Sequence, residues 1–224
     1  MLLSFKDVRF SYNKSEEILK GITLDIREGE KVALLGLNGS GKSTLMLHIN
    51  GLLKPSSGTV SINGKNTDSK EISVIRQTVG IVFQNPDDQL FMPTVREDVA
   101  FGPLNMKLTM EEVNIRVNRA LEITGTLELA DRAPFELSGG QKKAVSIATV
   151  LSMTPKLLVL DEPTSGLDYM AEQNFIKIID SLPQAILMST HDIVLAKKLC
   201  TRAIILDKGK IIYDGNISEM NYPL

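Results

Sequence analysis

Residues 36–44 read GLNGSGKST and follow directly on the apolar run VALL of residues 32–35. The nine residues satisfy the pattern G-x-x-x-x-G-K-[ST], whose glycines let the backbone approach a phosphate closely. The run before them predicts a buried strand, and the apolar spacing after them predicts a helix whose N-terminus attracts anions. A glycine-rich turn without a ligand is the plain alternative, but such a turn does not require both of these neighbours. The stretch therefore predicts a phosphate-binding loop in an α/β core.

The residue types within the loop suggest its chemistry. We expect Lys42 to reach the β- and γ-phosphates as a point charge and the Ser43 hydroxyl to bind Mg²⁺. The backbone N–H groups of the glycines should face the phosphates. The loop residues that we assign to the nucleotide site are Gly36, Asn38, Gly39, Ser40, Gly41, Lys42, Ser43 and Thr44.

A second apolar run, LLVL at residues 157–160, ends in two adjacent carboxylates, Asp161 and Glu162. Successive strand residues point to opposite faces, so the two acids can serve different tasks. We expect Asp161 to hold Mg²⁺ and Glu162 to polarise the water that attacks a γ-phosphate. Two solvated acids at a strand end are the alternative. Together with the phosphate loop, the pair predicts hydrolysis of a nucleoside triphosphate.

A third stretch, LSGGQ at residues 137–141, precedes a segment of helical apolar spacing. Ser138 is a capping residue, and Gly139 and Gly140 leave the helix N-terminus open to an anion. The chain would then carry two anion sites. If these sites cannot meet within one molecule, two copies packed head to tail would each lend a loop to the other's nucleotide.

The rest of the chain divides into strand-rich ends and a helical middle. Alternating apolar residues near both 5–10 and 22–26 predict antiparallel strands, and short apolar runs predict buried strands at 78–83, 185–188 and 203–206. The strand signal disappears between about 86 and 152, where Thr94 with Glu97 and Thr109 with Glu112 fit capping boxes. We therefore expect one α/β domain over residues 1–224, with a largely parallel sheet, an antiparallel β edge and a helical subdomain inserted at 86–152.

Composition excludes several classes of protein. The 224 residues carry 25 Lys plus Arg and 27 Asp plus Glu, a net charge of −2, which argues against a strongly basic nucleic-acid binder. No apolar run reaches the roughly 18 residues of a membrane-spanning helix, and the start lacks the features of a signal peptide. The single cysteine, Cys200, excludes an intrachain disulfide and fits a reducing cytosol. We expect Cys200 in the core and His48 at the surface or in a helix cap.

The motifs, in this order, resemble those of the ATP-binding cassette (ABC) ATPases over essentially the whole chain. The resemblance implies a RecA-like P-loop NTPase core that binds ATP and Mg²⁺ and hydrolyses ATP. It also implies that Tyr12 stacks on adenine, that Gln84 senses the γ-phosphate and ligates Mg²⁺, and that His191 contacts the γ-phosphate. Residues 165–168 (SGLD) match the loop that lines the family's dimer interface.

The expected site residues follow from the loops and the resemblance together. The expected catalytic residues are Glu162, His191, Gln84 and Lys42. The expected metal ligands are Ser43, Gln84 and Asp161. The nucleotide site is completed by Tyr12 and by Ser138, Gly139, Gly140 and Gln141 of the signature loop. One position departs from the family: Ala144 stands where many members have arginine, and the lysines at 142 and 143 are not equivalent to arginine at a bidentate site.

Residues 84–91 (QNPDDQLF) and 94–103 (TVREDVAFGP) are similar to the ATPases of energy-coupling factor (ECF) uptake transporters, including the cobalt- and nickel-transport type. In those proteins an acidic segment docks on the basic ends of helices from a membrane subunit. The resemblance makes Asp87 and Asp88 the expected docking acids, with a solvated turn as the alternative. Many members extend further at the C-terminus for dimerisation, and because this chain ends at residue 224 we expect that extension to be short or absent.

The expected function is ATP hydrolysis by a peripheral subunit on the cytoplasmic face of a membrane, coupled to uptake of cobalt, nickel or a vitamin. Its expected partners are a second copy or a related ATPase, a transmembrane coupling subunit and a substrate-binding membrane subunit, without nucleic acid. The alternatives are another ABC transporter, a soluble ABC ATPase acting on nucleic acid or ribosomes, and a small-molecule kinase, for which residues 137–141 would have no use.

Overall fold

The computed structural model describes residues 1–13 and 16–221, whose contacts separate into two units. Unit 1 comprises Met1–Val79, Lys156–Glu162 and the chain from Pro183 onwards, and unit 2 comprises Gly80–Pro155 and Pro163–Leu182. The strands are β1 (Leu3–Phe10), β2 (Leu19–Ile26), β3 (Lys31–Leu35), β4 (Ser57–Ile62), β5 (Lys65–Asn66), β6 (Val79–Val82), β7 (Leu157–Asp161), β8 (Ala185–Ser189), β9 (Arg202–Asp207) and β10 (Lys210–Asn216). The α-helices are α1 (Lys42–Ile49), α2 (Ile72–Thr78), α3 (Val95–Asn105), α4 (Met110–Thr124), α5 (Gly139–Leu151), α6 (Tyr169–Ser181) and α7 (Ile193–Leu199).

An antiparallel sheet of unit 1 follows from the alternating apolar residues near the N-terminus. Its strand order is β2-β1-β4-β5, and Phe5 of β1 lies opposite Leu24 of β2. The alternating apolar side chains on both strands are buried, whereas the intervening residues other than Ser4 are exposed or half-buried, as expected for a sheet with one covered face. This confirms the predicted antiparallel part of the fold.

The second sheet of unit 1 is built around three strands, β3, β7 and β8, whose apolar residues are all buried. Its order within unit 1 is β10-β9-β3-β8-β7, with β3, β7, β8 and β9 parallel and β10 antiparallel to β9. The short continuous apolar runs predicted these strands, because a parallel sheet covered on both faces leaves no polar side. In register, Ser189 of β8 lies beside both Leu34 of β3 and Asp161 of β7. The carboxyl ends of the three strands therefore meet at one edge.

Unit 2 is largely helical, and its helices begin where the sequence places caps. Thr94 with Glu97 and Thr109 with Glu112 form reciprocal capping boxes at α3 and α4. Gly125 ends α4 in the left-handed conformation, at φ 67°. Helices α3, α4 and α5 pack against one another through their apolar faces. The parallel sheet, the antiparallel sheet and the helical part match the predicted fold class, while the boundaries 86–152 remain a prediction.

Candidate active site

The loop of residues 36–41 connects β3 to α1 in unit 1. Gly36, Gly39 and Gly41 all have positive φ, at 145°, 80° and 108°. A Cβ atom on Gly36 would lie 2.2 Å from the carbonyl oxygen of Leu206, so no other residue fits there without moving backbone. The loop therefore depends on glycine for its shape, and it leads directly into the start of α1.

Lys42 is held inside the loop that precedes it. The side chain is buried, and Nζ donates to the carbonyl oxygens of Gly36 at 2.7 Å and Leu37 at 3.2 Å. These charge-assisted hydrogen bonds compensate the burial of the ammonium group. The positive charge thus lies within the loop whose N–H groups are expected to bind phosphate.

Ser43 lies directly opposite Asp161, at the tip of β7. Ser43 Oγ donates to Asp161 Oδ2 at 3.0 Å, and Ser189 Oγ donates to Oδ1 of the same carboxylate at 2.5 Å. A hydroxyl and a carboxylate within hydrogen-bonding distance are oxygen donors of the kind that Mg²⁺ takes. Within residues 1–13 and 16–221, no group of three or more His, Cys, Asp or Glu side chains could hold a metal. Mg²⁺ here would therefore need phosphate and water oxygens as well, which is its usual mode of binding.

Glu162 occupies a strained backbone position at the end of β7. Its φ is 40°, in the left-handed region that a residue with a side chain rarely adopts. The backbone N–H is held in place because it donates to both the carbonyl oxygen and the Oγ of Ser189, each at 3.1 Å. The carboxylate Oε2 lies 2.9 Å from Nδ1 of His191. The structure thus brings Asp161, Glu162 and His191 together.

Ser189 is a site residue that sequence reasoning missed. It contacts both the Asp161 side chain and the Glu162 backbone. The sequence places Ser189 at the carboxyl end of a predicted strand, which could have marked it as a candidate. Only the pairing of β8 with β7 shows that it lies next to Asp161 and Glu162.

Tyr12 lies beside the phosphate loop. Its hydroxyl is 3.2 Å from Thr44 Oγ1, its ring packs edge-on against Phe10 with centroids 4.9 Å apart, and its side chain is exposed. An exposed, oriented aromatic ring suits stacking on a base. Its role with adenine remains a prediction.

The expectation that His48 is a surface or capping histidine is wrong. The residue is completely buried, its ring packs edge-on against Phe10, and Nδ1 lies 2.7 Å from the Thr44 carbonyl oxygen. Burial lowers the pKa of His48, so the ring is neutral and Nδ1 donates. The error arose because the position of one histidine on a predicted helix does not show whether that face of the helix packs against the rest of the protein.

The signature loop lies in unit 2, at the start of α5. Ser138 Oγ accepts from the Gln141 N–H at 3.3 Å, and Gln141 Oε1 accepts from the Ser138 N–H at 2.9 Å, forming a capping box. The loop borders an open cavity of about 380 Å³. The cavity's polar lining includes Ser138, Gly139, Gly140, Gln141, Asp168 and Asn174.

Gln84 also lies in unit 2, after β6, whereas Ser43 and Asp161 lie in unit 1. Its side chain is exposed, and its assignments as catalytic residue and metal ligand remain predictions. Its carbonyl oxygen accepts from Lys143 Nζ at 2.7 Å, a contact that the sequence did not predict. Ala144, where many family members carry arginine, is nearly buried and borders the cavity. The polar links at this turn of α5 are instead made by Lys142 and Lys143.

None of the helices in the described residues is both long and apolar enough to cross a bilayer.

Comparisons with known proteins agree on one family. A family model described as ABC transporter matches residues 19–165. The energy-coupling factor transporter ATP-binding protein EcfA of Methanosphaera stadtmanae is 49% identical over 224 residues, covering 98% of this chain and 81% of that protein. The structure of CbiO1 of Clostridium perfringens, described as part of the ABC transporter complex CbiONQ, aligns with a TM-score of 0.88 and 43% identity, covering 97% of this chain and 89% of that one. The cassette MJ0796, in a dimeric post-hydrolysis state bound to ADP and Pi, aligns at 0.83 and 30% identity, covering 96% and 98%.

Proposed function

This chain belongs to the ABC transporter family as an ATPase, and on that premise we propose that it is the ATP-hydrolysing subunit of an ECF-type importer. One observation carries the proposal: Ser43 of the phosphate loop lies 3.0 Å from Asp161, and the adjacent Glu162 lies 2.9 Å from His191. Two residues that could hold a metal ion, Ser43 and Asp161, thus lie next to two residues that could transfer protons, Glu162 and His191, at the end of β7. The similarity to EcfA and CbiO1 supports the ECF type.

The residues of this chain divide the work of hydrolysis. The loop glycines and Lys42 bind the triphosphate, and Ser43 and Asp161 are the residues that would hold Mg²⁺. A bound Mg²⁺ neutralises charge on the phosphate oxygens. Glu162 orients and polarises a water for attack on the γ-phosphorus, so that the bond to the β-phosphate oxygen breaks and ADP and inorganic phosphate leave.

The contact between Glu162 and His191 restricts the protonation state of the histidine. A carboxylate only accepts hydrogen bonds, so Nδ1 carries a proton in this pair.

A second copy completes the site in this proposal. The signature loop presents the start of a 13-residue helix beside an open polar cavity, an arrangement that attracts an anion. Ser138 and Gly140 would contact the γ-phosphate bound by the other copy, and hydrolysis would remove that contact and open the dimer. The dimeric state of the cassette MJ0796 supports the pairing of two copies.

The proposed membrane partner would dock on unit 2. Asp88 is exposed, and Phe91 and Phe101 present exposed rings packed edge-on at 5.1 Å. An exposed acid and exposed apolar rings within residues 88–101 fit a helix with a basic end and an apolar side. The complex would hold the chain on the cytoplasmic face of the membrane, and the cargo would be cobalt, nickel or a vitamin.

The test is ATP hydrolysis by the full chain, alone and copurified with its membrane subunits. We expect Mg²⁺-dependent phosphate release that Lys42→Ala abolishes, because the phosphates lose their fixed cation. Lys177→Ala, at an exposed position on α6, is the matched control. Equal turnover in Lys42→Ala would refute the assigned site, and identification of the cargo in the intact complex would decide between a metal ion and a vitamin.

A further inference from the structure

Lys143 is a buried lysine on α5, two residues after the signature loop. Only 2% of its surface is exposed, and Nζ donates to the carbonyl oxygens of Phe83 at 3.0 Å and Gln84 at 2.7 Å. Burying an ammonium group is costly unless strong acceptors compensate it. The two hydrogen bonds therefore tie the Gln84 backbone to α5 just after its first turn.

Two further residues tie the same segment, residues 83–89, to α5. Gln89 Nε2 donates to the Ser146 carbonyl oxygen and to Thr149 Oγ1, both at 2.8 Å, and Gln89 Oε1 accepts from the Phe83 N–H at 3.2 Å. Lys142 Nζ lies 2.6 Å from Asp87 Oδ1. The segment is therefore attached to one face of one helix at its beginning, middle and end.

The attachment leaves the Gln84 side chain available. That side chain is exposed, while its own carbonyl oxygen is fixed. Fixing the peptide groups on both sides of the Gln84 Cα sets the direction of its Cα–Cβ bond and lowers the backbone conformational entropy lost on binding.

We propose that Lys143 is a positioning residue for Gln84. Through Lys143, the helix that begins with the signature loop is attached to the segment that contains Gln84. The signature loop, which would contact the neighbour's nucleotide, and Gln84, which would sense the chain's own nucleotide, therefore move together. This inference rests on the proposed function, because it assumes that Gln84 senses the γ-phosphate.

The test compares Lys143→Met with the unaltered chain. Methionine keeps much of the length and removes the donor. We expect kcat for ATP to fall by about tenfold or more with KM and ADP affinity changed less than about twofold, since only the γ-phosphate contact is misplaced. Lys143→Arg, which can donate to two carbonyl groups, should restore most of the rate, and Lys177→Met on α6 controls for loss of a surface lysine. A fall in ADP affinity matching the fall in kcat would indicate a general structural role and overturn the proposal.

A double-mutant cycle with Gln84→Ala separates this inference from the proposed function. If Lys143 acts through Gln84, Lys143→Met should add little to the loss caused by Gln84→Ala. Equal fold losses in both backgrounds would overturn the inference while leaving the role of Gln84 intact. An unchanged kcat in Gln84→Ala would instead refute the sensing role itself, and the inference with it. Should Lys143→Met fail to fold, Gln89→Leu loosens the other end of the segment and must show the same non-additivity.

Discussion

Lys142 and Asp87 form an ion pair, with Nζ 2.6 Å from Oδ1, between the turn after the signature loop and the acidic segment after Gln84. Asp87 is therefore engaged within its own chain. Asp88 is exposed, and no residue in the described part of the chain forms an ion pair or side-chain hydrogen bond with its carboxylate. Of the two acids that the sequence suggested for docking, Asp88 is the one available to a cationic partner.

Asp88→Lys should uncouple transport from hydrolysis. The reversed charge repels a basic helix end, while the soluble ATPase activity of the chain should stay within about twofold because exposed charges contribute little to folding. Uptake by the reconstituted complex, measured beside phosphate release, checks this. Asp87→Asn is the matched control and should retain most of the uptake. Normal uptake by Asp88→Lys would remove this acid from the docking surface.

Gly36→Ala should abolish nucleotide binding. Its φ of 145° and the Leu206 carbonyl oxygen 2.2 Å from the added Cβ would force the loop to move. Gly64→Ala is the control, because Gly64 also has positive φ, 76°, but has no atom within 4 Å of the added Cβ. Gly64→Ala should lose roughly 1–2 kcal/mol of stability through its left-handed backbone, and Gly36→Ala should lose more because of the clash, but only Gly36→Ala should lose affinity for a fluorescent ATP analogue. Equal affinities would contradict the proposed role of the loop.

Glu162→Gln should bind ATP normally and hydrolyse it about 10²–10⁴-fold more slowly, because the amide no longer acts as a base. Since hydrolysis is what opens the dimer in our proposal, the variant should accumulate as a dimer with ATP but not with ADP. Light scattering with each nucleotide measures this, with Glu111→Gln as a surface control. A monomeric variant with full turnover would refute both the catalytic assignment and the dimer.

Cys200 should resist thiol reagents in the folded protein. It is buried at the end of α7, and burial raises the pKa of its thiol to about 12. The thiolate is therefore scarce at pH 8, and labelling should follow unfolding. Because the folded pKa is raised above the unfolded value, this group's contribution to stability is complete below about pH 9 and is lost as the pH rises toward 12. Rapid labelling without denaturant would show that the site opens locally.

Local chemistry made much of the molecule predictable. The capping boxes at Thr94 and Thr109 and the apolar runs of β3 and β7 each depend on residues close together in sequence. The phosphate loop was predictable for the same reason.

Contacts between distant parts of the chain were not predictable in this way. Lys143 lies 59 positions from Gln84, and the sequence alone showed only that the lysines at 142 and 143 are not equivalent to the family's arginine. His48 looked like a surface residue because its burial depends on how α1 packs. Such contacts are decided by packing that one sequence does not display.

The left-handed backbone of Glu162 has a consequence for how this protein evolves. Glycine would adopt φ 40° without the strain that a side chain causes there, so selection for folding alone would drift toward glycine at this position. If Glu162 acts in hydrolysis as we propose, the glutamate at this position exchanges thermodynamic robustness for turnover. Substitutions intended to raise thermal stability should therefore be made at other positions, because replacing Glu162 by glycine would gain stability at the expense of ATP hydrolysis.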